Sequence, residues 1–232
     1  DIDSSTNVRV YECDLACGDD CIAIKSGRDG NGARVNRKSS RIEVARCKIR
    51  SGYGVTIGSE VSAGVSDVYI HDIDFFQSDC GIRMKSSKER GGVIENIRVE
   101  NLNMIDVQFP FSWIMDWHNE YNRKNSNDLA QMPESWQAVA EEIPESKQMT
   151  KVKDIHIKNV QACLSPGYSL PSRAFDLVAF PEKPIEDVCF SHCQITAKEF
   201  GRIEAVQNLC FKSCDLSIET GNTAANNTFD NR

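Results

Sequence analysis

The chain has 232 residues, 40% of them hydrophobic, a formal net charge of −7 and ten cysteines. That length suits one domain with a sizeable core, the acidity argues against a general nucleic-acid binder, and no apolar run is long enough to span a membrane. From the N-terminus a six-residue β-rich phrase recurs: Val8–Cys13, Ile42–Cys47, Val68–Ile73, Ile97–Leu102, Ile155–Val160, Val188–Cys193 and Leu209–Cys214. Each phrase is apolar at its first, third and sixth positions. The first two fit a strand with one buried face, and the sixth predicts a turn back into the core. The phrases start 34, 26, 29, 58, 33 and 21 residues apart, and insertions into turns explain the longer gaps at small entropic cost. In several repeats a second strand follows: Cys21–Lys25, Gly54–Gly58 and Gly81–Lys85. Short strands with Gly, Asp and Asn at the corners predict an all-β parallel β-helix. A β-sandwich would also show short alternating strands, but it does not require phrases that match at equivalent positions.

Counting each phrase's first residue as zero brings the chemistry into register. Offset five holds Cys13, Cys47, Cys193 and Cys214, and offset one holds Cys189 and Cys210. Equal offsets in a β-helix stack about 4.8 Å apart. The cysteines are therefore expected mainly as a ladder of buried free thiols, since stacking does not guarantee the geometry a disulfide needs. Cys13, Cys17 and Cys21 lack the distant second pair of an all-cysteine zinc site. Offset eleven holds Asp19, Tyr53 and Asp79, offset fifteen Ala23, Ile57 and Arg83, and offset seventeen Lys25, Ser59 and Lys85. Acids, tyrosine and cations should thus line one side of successive coils, a groove suited to a polymer.

Three stretches fall outside the repeat. Lys25 to Arg50 carries nine cations against two acids, either a focus for an anionic ligand or a solvated charged turn. From Asp106 to Thr150 the repeat is interrupted by an insertion that holds all three tryptophans, Trp113, Trp117 and Trp136, and a candidate short helix from Pro133. Such a loop is often functional. Its aromatics either stack on sugars or pack the insertion onto the barrel. The polar stretch from Glu219 to Arg232 is expected to fray.

Gly18-Asp19-Asp20-Cys21 with its following Ile22–Gly27, then Ser51–Ser59 around Gly52-Tyr53-Gly54, then Gly81-Ile82-Arg83-Met84-Lys85, resemble the ordered signatures of the polygalacturonases, glycoside hydrolase family 28. The resemblance covers residues 1 to about 105. It implies a right-handed parallel β-helix that hydrolyses α-1,4-galacturonosyl linkages in pectin with inversion, with no metal and no cofactor. It makes Asp19 the general acid and Asp20 a partner in activating water. Tyr53, Arg83 and Lys85 become substrate-binding residues, the last two holding a galacturonate carboxylate. The chemistry agrees: an inverting hydrolase needs one protonated carboxyl and one ionised carboxylate, and Arg and Lys suit a carboxylate ligand.

Two departures stand out. The family has histidine where this chain has Tyr53, and tyrosine lacks the near-neutral titration of histidine. The family also has an Asn-Thr-Asp motif just before a phrase like Asp1–Ser5. Residues 1–232 are therefore expected to be the C-terminal part of one longer β-helix catalytic domain, lacking one catalytic aspartate and inactive alone. The expected partner is an acidic galacturonan, the place of action secreted or periplasmic, and the mode exo-acting, because the 106–150 insertion can close one end of the groove. The alternatives are a rhamnogalacturonan or xylogalacturonan hydrolase, a calcium-dependent lyase on the same fold, and a non-catalytic pectin-binding β-helix.

Overall fold

In the computed structural model, which describes residues 1–117, 131, 133–139, 142–220 and 223–229, the seven phrases lie side by side in parallel. Val8 pairs with Ile42, Ile42 with Val68, Val68 with Ile97, Ile97 with Ile155, Ile155 with Val188, and Val188 with Leu209. A second sheet runs in chain order through Ile2–Asp3, Ile22–Lys25, Val55–Gly58, Cys80–Lys85, Phe109–Ile114, Arg173–Val178 and Glu199–Glu204. The chain visits one sheet and then the other, once per coil, so the fold is a right-handed parallel β-helix. Parallel pairing along both stacks, broken only by the antiparallel terminal strand Thr223–Phe229 among the described residues, rules out the sandwich, whose sheets are antiparallel.

The apolar pattern has a backbone cause. A non-glycine residue in the left-handed region precedes every phrase: Asn7, Arg41, Asp67, Asn96, Asp154, Asp187 and Asn208. Another occupies every fifth position: Glu12, Arg46, Asp72, Asn101, Asn159, His192 and Ser213. A strand alternates its faces with period two. One left-handed residue bends it and resets that alternation, so positions one, three and six all point inward. Ile42, Val44 and Cys47 are buried, as are Val68, Ile70 and Ile73, then Ile97, Val99 and Leu102. Asn and Asp tolerate the left-handed conformation because their short polar side chains bond locally. Here they also bond between coils: Asn101 donates to Asp72 at 2.9 Å, Asn159 to Asn101 at 2.7 Å, and Asn208 to Asp187 at 2.9 Å.

The core changes character along its length. Aliphatic side chains fill the first coils. Farther on, Phe190 packs against Phe111, Phe175, Phe211 and Trp113 with centroids 5.0–5.9 Å apart. Trp113 is fully buried, so it packs the core rather than a sugar.

The cysteines depart from a uniform ladder of buried thiols. Cys47, Cys80, Cys193 and Cys214 are buried and free, but Cys17 and Cys163 are exposed. Cys189 and Cys210, paired in register on adjacent coils, form a disulfide. The basic stretch resolves into local pairs. Arg50 bonds Asp14 at 2.6 Å, Arg46 bonds Glu12 at 2.9 Å, and Lys38 bonds Glu95 at 3.1 Å. Much of it is thus a charged wall of paired side chains rather than a free anion focus.

Within 106–150 the strand Phe109–Ile114 continues the stack, pairing with Cys80–Lys85 and Arg173–Val178. The short helix runs Glu134–Val139, and the Trp136 side chain lies outside the described residues. In the polar C-terminal stretch, Thr223–Phe229 runs antiparallel to Cys214–Thr220 rather than fraying.

A helix, Asp29–Val35, leaves the first described coil just after Ile22–Lys25. Asp29 bonds Arg90 at 2.5 Å, and both side chains are only 1% exposed. This pair ties the end of the first coil to the turn that follows Cys80–Lys85, two coils away.

Candidate active site

Side chains alternate along Ile22–Lys25, Val55–Gly58 and Cys80–Lys85. Ile22, Ile24, Val55, Ile57, Ile82 and Met84 point into the core, leaving Ala23, Thr56, Arg83 and Lys85 on the outer face. Across the coils Ala23 pairs with Thr56 and Thr56 with Arg83, while Gly58 pairs with Lys85. Ile57 is therefore not in the row with Arg83, nor Ser59 with Lys85, as equal offsets predicted. From Val8 to Ile22 there are fourteen steps and from Val68 to Ile82 another fourteen, but from Ile42 to Val55 only thirteen. The turn of the second coil is one residue shorter, and its strand slips by one.

That turn is Gly52-Tyr53-Gly54. Both glycines have positive φ, and a Cβ on them would strike the carbonyls of Asp19 and Gly81 respectively. The short turn is thus wedged between the acidic turn of the coil before and the cationic strand of the coil after. The Tyr53 amide donates to the Asp19 carbonyl at 3.0 Å, which fixes the acidic turn from below.

Asp20 gathers the site. Its Oδ2 accepts from Lys85 Nζ at 2.7 Å, and its Oδ1 from Arg83 at 3.1 Å and from Thr56 Oγ1 at 2.7 Å. The side chains of Asp20, Arg83 and Lys85 are 9%, 14% and 10% exposed. Asp19 stands exposed beside them, and its Oδ1 accepts the Asp20 amide at 2.8 Å. One carboxyl thus faces solvent while its neighbour is an acceptor to every group around it. The Arg83 guanidinium lies 4.3 Å from the Tyr53 ring centroid and 5.9 Å from that of Trp117. Lys85 Nζ lies 4.9 Å from the same tryptophan ring. The outer row continues past Arg83 through Ser112, Asp176 and Arg202, and Arg202 bonds Asp176 at 2.5 Å.

All five residues singled out in the sequence, Asp19, Asp20, Tyr53, Arg83 and Lys85, come together here. Two more belong with them. Thr56 was hidden by the one-residue slip, although it stands inside the second motif. Trp117 was one of three tryptophans with nothing to single it out, because only the fold brings it over the two cations. Asp79 instead bonds Gln108 at 2.6 Å. Among the described residues no group of three or more His, Cys, Asp or Glu side chains is placed to hold a metal ion.

The class of protein that the fold and the site define is a parallel β-helix that sets an exposed acid beside a cation-held carboxylate, along an open row of polar side chains. The chain belongs to the Glycosyl hydrolases family 28, whose sequence model matches residues 1–131. A probable polygalacturonase of Vitis vinifera is 36% identical over 111 residues, covering 47% of this chain and 23% of that protein. An endo-polygalacturonase of Pectobacterium carotovorum subsp. carotovorum is 31% identical over 107 residues, covering 46% and 25%. These matches span about a quarter of the length of those curated relatives. In fold, the chain is similar to the hyperthermoactive exopolygalacturonase of Thermotoga maritima, with a TM-score of 0.65 at 18% identity, over 98% of this chain and 45% of that one. An exopolygalacturonase of Yersinia enterocolitica gives a TM-score of 0.63 at 16% identity, over 95% and 38%.

Proposed function

We propose that this chain carries the cutting site of a pectin-degrading glycoside hydrolase acting on α-1,4-linked galacturonan. The observation that carries the reading is the Asp19-Asp20 turn set against Arg83 and Lys85. Asp19, exposed at the mouth, is the general acid that protonates the leaving oxygen. Asp20 helps orient the attacking water, its charge held by Arg83, Lys85 and Thr56. The same two cations recruit the substrate carboxylate, the arginine through its planar fork. Tyr53 and Trp117 wall the position. An inverting outcome follows from a division of labour between a protonated and an ionised carboxyl around one water.

The finer parts of the proposal are an exo mode and secretion or periplasmic export. Trp117, standing over both cations, supports a groove closed at one end. A galacturonan substrate lies outside the cell, and among the described residues no helix is long and apolar enough to cross a membrane. Tyr53 in the family's histidine position favours one second reading, a β-helix that binds pectin without cutting it.

The test is reducing-sugar release from polygalacturonate by the intact protein that carries this chain, beside Asp19→Asn and Asp20→Asn. Each variant should lose about 10²- to 10⁴-fold in kcat, the range for a positioned acid or base. Release of monomer from the start supports the exo mode, and a ladder of oligomers the endo mode. Tight binding with no turnover by the unmodified protein establishes the second reading instead.

A further inference from the structure

Cysteines bracket the acidic pair. Cys17 precedes Gly18-Asp19-Asp20 and Cys21 follows it, and their sulfurs stand 3.1 Å apart. Both thiols are already used to shape the turn. Cys17 Sγ donates to the Asp19 carbonyl at 3.0 Å, and Cys21 Sγ donates to the Ser51 carbonyl at 3.0 Å. Cys17 is exposed and Cys21 half-buried, so an oxidant reaches the first before the second. The turn itself has no regular secondary structure, and a Cβ on Gly18 would meet nothing within 4 Å. Side-chain and single backbone bonds to the next coil are what hold it.

We propose that Cys17 and Cys21 are a redox pair whose disulfide closes a covalent loop around Asp19 and Asp20 and fixes the catalytic turn. The sulfurs, 3.1 Å apart, need to approach by only about 1 Å to reach the bonded distance near 2.05 Å, and the new bond replaces the two S–H contacts that hold the turn. The oxidant is a disulfide, of the kind that oxidising compartments maintain. The Cys17 thiolate attacks one sulfur of that disulfide, and the other leaves as a thiolate. Cys21, having lost its proton to solvent, then attacks Cys17 Sγ and expels the second thiolate. Two protein thiols become one disulfide, and one external disulfide becomes two thiols. Burial, then the hydrogen bond with Cys17, pushes the Cys21 thiol up to about 12. The second step is therefore the slow one and speeds up with pH, and the part of the barrier due to Cys17 is relieved once Cys17 is capped. A bond between the free thiols Cys13 and Cys47, which lie on adjacent coils, would close a loop through a whole coil and would not clamp the acidic turn.

This inference rests on the proposed roles of Asp19 and Asp20, and its test separates the two. The intact protein is equilibrated with oxidised or reduced glutathione, blocked with iodoacetamide and mapped by peptide mass, with turnover of polygalacturonate measured on the same samples. A Cys17–Cys21 cross-linked peptide after oxidation, with oxidised protein several-fold faster than reduced, is the expected result. Cys17→Ser/Cys21→Ser should hold the reduced rate under both conditions; because it keeps the Cys189–Cys210 bond, a rate that still responds to oxidation in this variant would assign the effect to that bond and overturn the pair's action on the turn. Separate alkylation of Cys17 and Cys21 after oxidation overturns the pair. A cross-link that leaves the rate unchanged overturns its action on the turn. A cross-link in a protein with no turnover in either state upholds the pair and counts against the hydrolase reading alone.

Discussion

Arg83 lies against the rings of Tyr53 and Trp117, and in the proposed site this gives a physical role to a tyrosine where the family has histidine. The guanidinium stacks over Tyr53 at 4.3 Å while one of its nitrogens bonds Asp20. A cation over an aromatic face gains about 0.5–2 kcal/mol, and here the ring also limits where the long side chain can go. The useful part of Tyr53 is then its ring rather than its hydroxyl. If the proposed hydrolase reading holds, Tyr53→Phe in the intact protein that carries this chain should change KM for polygalacturonate by less than about twofold. Tyr53→Ala should raise it about 3- to 30-fold, the range that cation–π strength spans, with a smaller change in kcat. Equal loss in both variants would assign the role to the hydroxyl. Asp19, Asp20, Arg83 and Lys85 were legible because acids and cations recur in ordered motifs on a repeat. Thr56 was not, because a turn shortened by one residue leaves no mark in composition and shifts the faces of the strand that follows it, Val55–Gly58, by one step.

On the scale of the strand, what makes each coil is a pair of left-handed residues and the polar rungs they build. Asp67 accepts from Asn96 at 2.5 Å, and Asp72 from His71 at 2.7 Å and Asn101 at 2.9 Å. The Asn96 amide, then the Ser66 hydroxyl, hold the Asp67 carboxyl below the usual carboxylate range. His71, then Asn101, do the same for Asp72, and Lys38 for Glu95. A carboxylate depressed in the folded state stabilises it above the unfolded value near 4, and that contribution is lost as pH falls through the folded value. Urea midpoints should therefore drop between pH 5 and pH 2. Asp67→Asn keeps the left-handed tolerance but removes the titrating group. It should cost about 1 kcal/mol or less at pH 7, and its deficit should vanish by pH 2. A deficit independent of pH would show that the rung acts through shape alone. The first, third and sixth apolar positions were readable in the sequence, and all seven phrases pair as aligned. The reason for the sixth was only half readable, because the left-handed residue at the fifth position is Glu, Arg, Asp, Asn, His or Ser, with no common side chain to announce it.

For the whole molecule, each coil touches mainly the coils above and below, so stability is close to a sum of neighbour terms. The aromatic stack makes those terms uneven. Phe190 meets four aromatic side chains, Phe211 on the next strand of its own sheet and Phe111, Trp113 and Phe175 from the opposite sheet, and Phe190→Ala should cost about 3–5 kcal/mol. The loss should be local: hydrogen exchange should quicken through Ile185–Ser191 and Val206–Lys212 while Ser39–Ala45 and Val65–Phe76 keep their protection. Uniform loss of protection would mean that the coils unfold as one unit. The buried Asp29–Arg90 pair works against such fraying near the site, since it skips a coil and binds the first to the third. The parallel ladders carry a directional consequence. Their hydrogen bonds lie along the axis of the solenoid, and the strands lie across it. Tension applied along the axis loads one rung at a time and peels the coils in sequence, whereas tension applied along a strand loads a whole row of bonds in shear. A load passed into the solenoid through its outer face would thus meet a material that is soft in one direction and stiff in the other.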